Sequence, residues 1–154
     1  MNTRVKQAGF TLIELLLAIS IIGILFGLTT ISLLKAQQST AVGTSEEMLI
    51  ADLKNQQAKA MNGTDNGGSF GVHFESNTYI LFNGDAYVLD DPKNSSVSVD
   101  ENISFSGNNI VFLPVSGEIK DYLDADPPII TVTNATGSEQ KAIQLNKHGV
   151  VVQD

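Results

Sequence analysis

Apolar residues are spread unevenly along the chain, and their spacing predicts three kinds of element. Residues 15–34 form a run of 20 without a charged side chain. At about 1.5 Å of rise per residue this predicts a helix of roughly 30 Å, the thickness of a bilayer core. From Lys35 the pattern becomes amphipathic. Val42, Leu49, Leu53 and Ala60 recur at helical spacing, with Ile50 and Met61 beside them, while Glu46, Glu47, Lys54 and Lys59 fall elsewhere. Gly43 weakens the middle of this helix by about 1 kcal/mol relative to alanine, and Asn62-Gly63 supplies a C-terminal stop. From Gly67 the period shortens to two. Phe70, Val72 and Phe74 alternate with Gly71 and His73, and Tyr79-Ile80-Leu81-Phe82 follows Ser76-Asn77. Asn83-Gly84 then predicts a hairpin into a strand at 86–89. Beyond a loop at 90–94, strands are predicted at 97–99, 103–105, 110–113, 129–133, 142–145 and 150–152.

The expected fold is therefore α+β, a long N-terminal helix packed on a mainly antiparallel C-terminal β domain. Its segments are a basic leader at 1–9, a transmembrane half-helix at 10–34, an amphipathic half-helix at 35–62 and an exterior β domain at 63–154. Arg4 and Lys6 are the only charged side chains ahead of Gly9, which places the N-terminus in the cytoplasm and the bulk of the chain outside. A secretory signal peptide fits poorly, because the apolar run is too long and no small-x-small cleavage site follows Leu34.

Glu14 stands out. A carboxylate in the centre of a membrane helix costs about 2.5–3.5 kcal/mol on insertion scales. Near the helix N-terminus water and the helix dipole relieve part of that cost, so the plain reading is an interfacial glutamate. A cut between Gly9 and Phe10 would supply a partner, the new α-amine of Phe10, on the same or a neighbouring subunit. Gly23 and Gly27 form a small-xxx-small pair that lets two backbones approach closely, although glycine is common in membrane helices generally.

The string Gly9-Phe10-Thr11-Leu12-Ile13-Glu14, behind a basic leader and ahead of a long apolar helix, resembles the class III signal of type IV pilins and type II secretion pseudopilins. The resemblance implies cleavage after Gly9 by a prepilin peptidase, N-methylation of Phe10 and a role for Glu14 in docking subunits. It also implies a single-pass inner-membrane precursor whose partners are other pilin subunits, the peptidase, the membrane and an inner-membrane assembly platform. Many major pilins carry a helix proline that marks where the helix melts on assembly. This chain has none before Pro92, leaving Gly23, Gly27 and Thr29-Thr30 for that part. The segments ADLKNQQAKAMNG, IVFLPVSGEI and KAIQLNKHGVVVQD extend the resemblance to GspH/FimT-type minor pilins.

Charge narrows the reading. The chain carries a net −8, but beyond Lys35 there are sixteen acids against six lysines and no arginine, a balance of −10. Such a domain repels nucleic acid and anionic membrane surfaces and lacks the counterion release that drives DNA binding. The DNA capture known for some FimT-like proteins is therefore not carried over, and no nucleic-acid partner is expected. There is no cysteine, so neither a disulfide framework nor a thiolate metal site is available. His73 and His148 have no second histidine near them in sequence, and no nucleophile elbow is present. Asp85 and Asp90-Asp91 read as turn-formers. Asp121, Asp124 and Asp126, in a Pro-bounded stretch, are a weak calcium candidate set against the plainer reading of a solvated acidic loop. No cofactor is expected. The leading expectation is a non-catalytic minor pilin or pseudopilin, an initiating or tip subunit. The alternatives are a fibre-borne binding module, either adhesin or DNA-uptake subunit, and a non-polymerising single-pass membrane protein.

Overall fold

A computed structural model describes residues 9–152, without the side chains of 28–32, 34, 65 and 66. The basic leader with Arg4 and Lys6 lies outside the described residues, and of Thr29-Thr30 only the helical backbone is described. Compact contacts divide the chain into two units, Met1–Gln37 and Gln38–Asp154.

One helix, α1 (Leu12–Met61, 50 residues), contributes to both units. In the first unit it is apolar on every side. Its described large apolar side chains, from Leu12 to Phe26 and at Leu33, are all at least half exposed. Its one described hydroxyl in the uncharged run up to Gly27, Ser20 Oγ, donates back to the Leu16 carbonyl at 2.8 Å, the local satisfaction an apolar environment requires. Among the described residues no helix is long and apolar enough to cross a membrane. Side chains of the expected span 15–34 are described without a break only as far as Gly27. That stretch reaches about 20 Å, short of a bilayer core.

In the second unit the helix buries a stripe. Val42, Leu49, Leu53 and Ala60 are buried as their spacing predicts, and Ile50 packs beside them, whereas Met61 is half exposed. Two polar residues, Ser45 and Gln56, complete the stripe at three- and four-residue intervals. The helix stops where Asn62-Gly63 predicts: Gly63 takes a left-handed φ of 67°. The Ala60 carbonyl there accepts the N–H groups of Gly63 at 3.4 Å and Val115 at 3.1 Å. Val115 holds φ at 68° to do so, with Ser116 N–H bonded to the Pro114 carbonyl at 2.7 Å across it, a strained γ-turn. A single turn, α2 (Thr64–Gly67), follows.

The rest forms two antiparallel sheets. Strands β1 (Phe70–Phe74), β2 (Thr78–Asn83), β3 (Ser95–Ser98) and β5 (Ile110–Phe112) make the first, in the order β3-β2-β1-β5. Strands β4 (Ile103–Ser106), β6 (Ile129–Asn134), β7 (Gln140–Leu145) and β8 (Val151–Val152) make the second, in the order β4-β6-β7-β8. Alternation selects the inward residues: Val72 opposite Leu81 in the first sheet, Ile130 opposite Ile143 in the second. Both sheets and the α1 stripe share one core. Tyr79 of the first sheet meets Phe105 of the second edge to face, with ring centroids 5.3 Å apart. The Tyr79 hydroxyl donates to Asp52 of α1 at 2.6 Å. Gln57 ties the helix to two later loops, its Nε2 donating to the carbonyls of Gly117 at 2.9 Å and His148 at 2.6 Å.

The expected hairpin at Asn83-Gly84 does not form, and 86–89 is not a strand. The Asn-Gly signal is local, and tertiary contacts override it. β2 already pairs with β1 on one side, through the Ser76-Asn77 turn, and takes β3 on the other. Gly84 gives its N–H to the Ser69 carbonyl at 2.8 Å, and Ser69 Oγ donates to Asp85 at 2.5 Å. Tyr87 then stacks on His73, with centroids 3.9 Å apart and planes 7° apart. Gly71 leaves room for this arrangement, since a Cβ there would lie 2.3 Å from the Phe82 ring.

Candidate functional site

Gly9 and Phe10 precede the helix in exposed chain without regular structure, and Phe10 is 88% exposed. A peptide bond that is neither helical nor buried is open to a protease. The helix begins because Thr11 caps it. Thr11 Oγ1 accepts the Glu14 N–H at 3.4 Å, and Glu14 Oε2 accepts the Thr11 N–H at 3.5 Å. This is a capping box, Thr-x-x-Glu, with long bonds. Glu14 thus satisfies an orphan donor at the helix start and places negative charge at the positive end of the dipole. The Thr-x-x-Glu spacing was present in the sequence as a signal for Thr11, which the reading of Glu14 alone passed over.

Gly23 and Gly27 lie on α1 with open space where a Cβ would stand. Among the described residues nothing packs on them.

The other candidates are dispersed. His73 is occupied structurally, stacked on Tyr87 and bonded through Nδ1 to Asn109 Oδ1 at 2.7 Å. His148 lies 3.4 Å from Glu118, whose other oxygen is 3.6 Å from Lys147; such exposed pairs contribute little. Asp121 and Asp126 line a groove of about 490 Å³ that Asp124 does not reach, and the Leu123–Asp126 bridge closes the loop on itself. Among the described residues no three histidine or carboxylate side chains are placed to hold a metal ion, so the calcium candidate gains nothing. Tyr79 is the strongly perturbed acid. Burial first, then its hydrogen bond to Asp52 and the charge of that carboxylate, push the phenol well above its ordinary value. It sits in the core, where that shift reports packing.

A family model described as the prokaryotic N-terminal methylation motif matches residues 4–30. No curated protein and no solved structure matches the chain. The matched segment holds Gly9, Phe10, the capping box and the start of the all-round apolar helix, and a pilin-type motif of this kind implies prepilin peptidase processing and contact with other pilin subunits. Over residues 4–30 the chain carries the prokaryotic N-terminal methylation motif, and that motif supports a type IV pilin-like subunit.

Proposed function

We propose that this chain is a non-catalytic minor pilin or pseudopilin of GspH/FimT type. Its 10–34 segment inserts in the inner membrane with the β domain outside. The chain is cut between Gly9 and Phe10, methylated on Phe10, and drawn by a membrane platform into a fibre as an initiating or tip subunit. The observation that carries the reading is the methylation motif lying on an exposed Gly9-Phe10 bond directly ahead of a helix with no polar face. A helix apolar all round has no stable place in water. Lipid accepts it before assembly, and neighbouring helices, packed at Gly23 and Gly27, accept it afterwards.

Glu14 acts in both states. Its Oε2 caps the Thr11 N–H, a donor that survives the cut because it belongs to the bond after Phe10. Its second oxygen is left for an α-amine, and in a low-dielectric fibre core an unmatched carboxylate is costly enough to reject a subunit out of register.

The test is the N-terminal sequence and intact mass of the protein from its host membrane. A chain beginning at Phe10 and about 14 Da heavy carries the methyl group expected of this processing. A chain still beginning at Met1 would sink the proposal.

A further inference from the structure

Four asparagines open an Asn-x-Ser/Thr triplet with no proline inside it: Asn62, Asn94, Asn102 and Asn134. That triplet is the acceptor pattern for an N-linked sugar. It is common, and the fold separates the four. Asn134 is 4% exposed. Its Nδ2 donates to Ser138 Oγ at 3.0 Å and to Gln38 Oε1 at 3.4 Å, so a sugar there would break bonds in a buried site. Asn94 is half-buried and donates through Nδ2 to the Val88 carbonyl at 2.8 Å. Asn62 and Asn102 are exposed. Of the four, Asn102 alone has a carboxylate two residues ahead, Asp100, where Asn62 has Ala60 and Asn94 has Pro92.

Asn102 stands in the turn between β3 and β4. Asp100 Oδ1 accepts both its backbone N–H at 2.8 Å and its Nδ2 at 2.9 Å. A carboxamide nitrogen carries two hydrogens, so one can keep this bond while a sugar replaces the other. The folded domain therefore tolerates the modified side chain. Ile103 is buried, and Ser104 Oγ donates to the Thr133 carbonyl of β6 at 3.4 Å. A transferase must then reach the triplet before β4 pairs with β6, the strand made later.

We propose that Asn102 is the acceptor of an N-linked glycan. Its Nδ2 attacks the anomeric carbon of a polyprenyl-diphosphate-linked oligosaccharide. The new C–N bond forms as the C–O bond to the diphosphate breaks. Polyprenyl diphosphate leaves with the electron pair, and the amide gives up one proton to the transferase's base. On the unpaired chain the Asp100 carboxylate is an anchor for a cationic side chain of that enzyme. The inference rests on the proposed placement of the β domain outside the membrane, the side on which such triplets are modified.

Full-length protein recovered from its host membrane would be read by N-terminal sequence, by intact mass and by electron-transfer fragmentation of the tryptic peptide 94–120. That peptide should carry sugar on Asn102 and none on Asn94. Asn102→Gln should remove the added mass from the intact chain. Asp100→Asn keeps an oxygen for the turn and removes only the charge. It should lower occupancy by about tenfold, the loss of roughly one charge-assisted contact, with the melting temperature unchanged. Sugar on Asn102 of a chain beginning at Met1 supports the inference and sinks the proposed processing. A chain beginning at Phe10 with Asn102 bare overturns the inference and leaves the processing intact, and a bare chain from Met1 overturns both. Sugar on Asn62, Asn94 or Asn134 instead, or undiminished occupancy in Asp100→Asn, would also overturn it.

Discussion

Helix α1 carries leucine and isoleucine along most of its length, but its two parts use them differently. In the first unit the apolar side chains point in all directions and are exposed on the isolated chain. In the second they are confined to the line Val42, Leu49, Leu53 and Ala60, and that line is buried. The second part is held by its own domain, through packing, the Tyr79–Asp52 bond and the Lys141–Glu46 ion pair. The described large apolar side chains of the first are exposed, and under the proposed function lipid or neighbouring helices cover them. The angular distribution of apolar residues, rather than their number, separates a segment that packs on its own domain from one left exposed on the isolated chain.

The comparison is broken most directly by equal truncations in the two parts. Leu49→Ala should lower the stability of the folded domain by about 2–5 kcal/mol, since the site is fully buried. Leu16→Ala should change it by less than about 0.5 kcal/mol. Urea unfolding of the full chain in detergent, followed by tyrosine fluorescence, would measure both. Comparable losses would mean that the first part also belongs to the domain core. Next in size, Glu14→Val should leave insertion and cleavage intact while reducing incorporation into fibres by about tenfold, the worth of one buried charge contact. Normal incorporation of the variant counts against the pairing with Phe10.

Tyr79→Phe sharpens the other side of the comparison. Loss of the bond to Asp52 should cost about 1 kcal/mol at neutral pH. The phenol's folded pKa lies above its unfolded value, so this stabilisation is complete below about pH 10 and is lost as the pH rises further. The parent domain should weaken above that pH, and the variant should lose much of the dependence; parallel alkaline melting curves would contradict the assignment. The smallest effect is expected for Thr11→Ala. It should fray the first turn of α1 by about 0.5 kcal/mol, the low end for a cap because its bonds are long. Amide exchange at residues 12–15 reads this, and unchanged rates would show that the box contributes nothing.

What the sequence disclosed followed from how local each signal was. The stripe of α1, its stop at Asn62-Gly63 and most strands depend on neighbours within a few residues, and they appear where the pattern placed them. The motif around Gly9 is contiguous and was equally legible. Gln56 was not, because a polar residue in an apolar stripe makes sense only beside Gly71 and Phe82, 15 and 26 positions away. The hairpin at Asn83-Gly84 failed for the same reason, with Ser69 and His73 deciding the course of 84–87. Which strands share a sheet could not be read from alternation, since β1 and β5, like β4 and β6, are joined across long intervals.

Gln57 has one more consequence, for the order in which the chain becomes native. Its two carbonyl partners lie 60 and 91 residues downstream, and Glu46 waits 95 residues for Lys141. Synthesis delivers the helix first and these partners last, so the amphipathic half of α1 is made with its apolar stripe uncovered. Closing such long loops is slow. In that interval the stripe is a natural target for a chaperone or a protease, and the yield of folded domain depends on how quickly the last strands arrive.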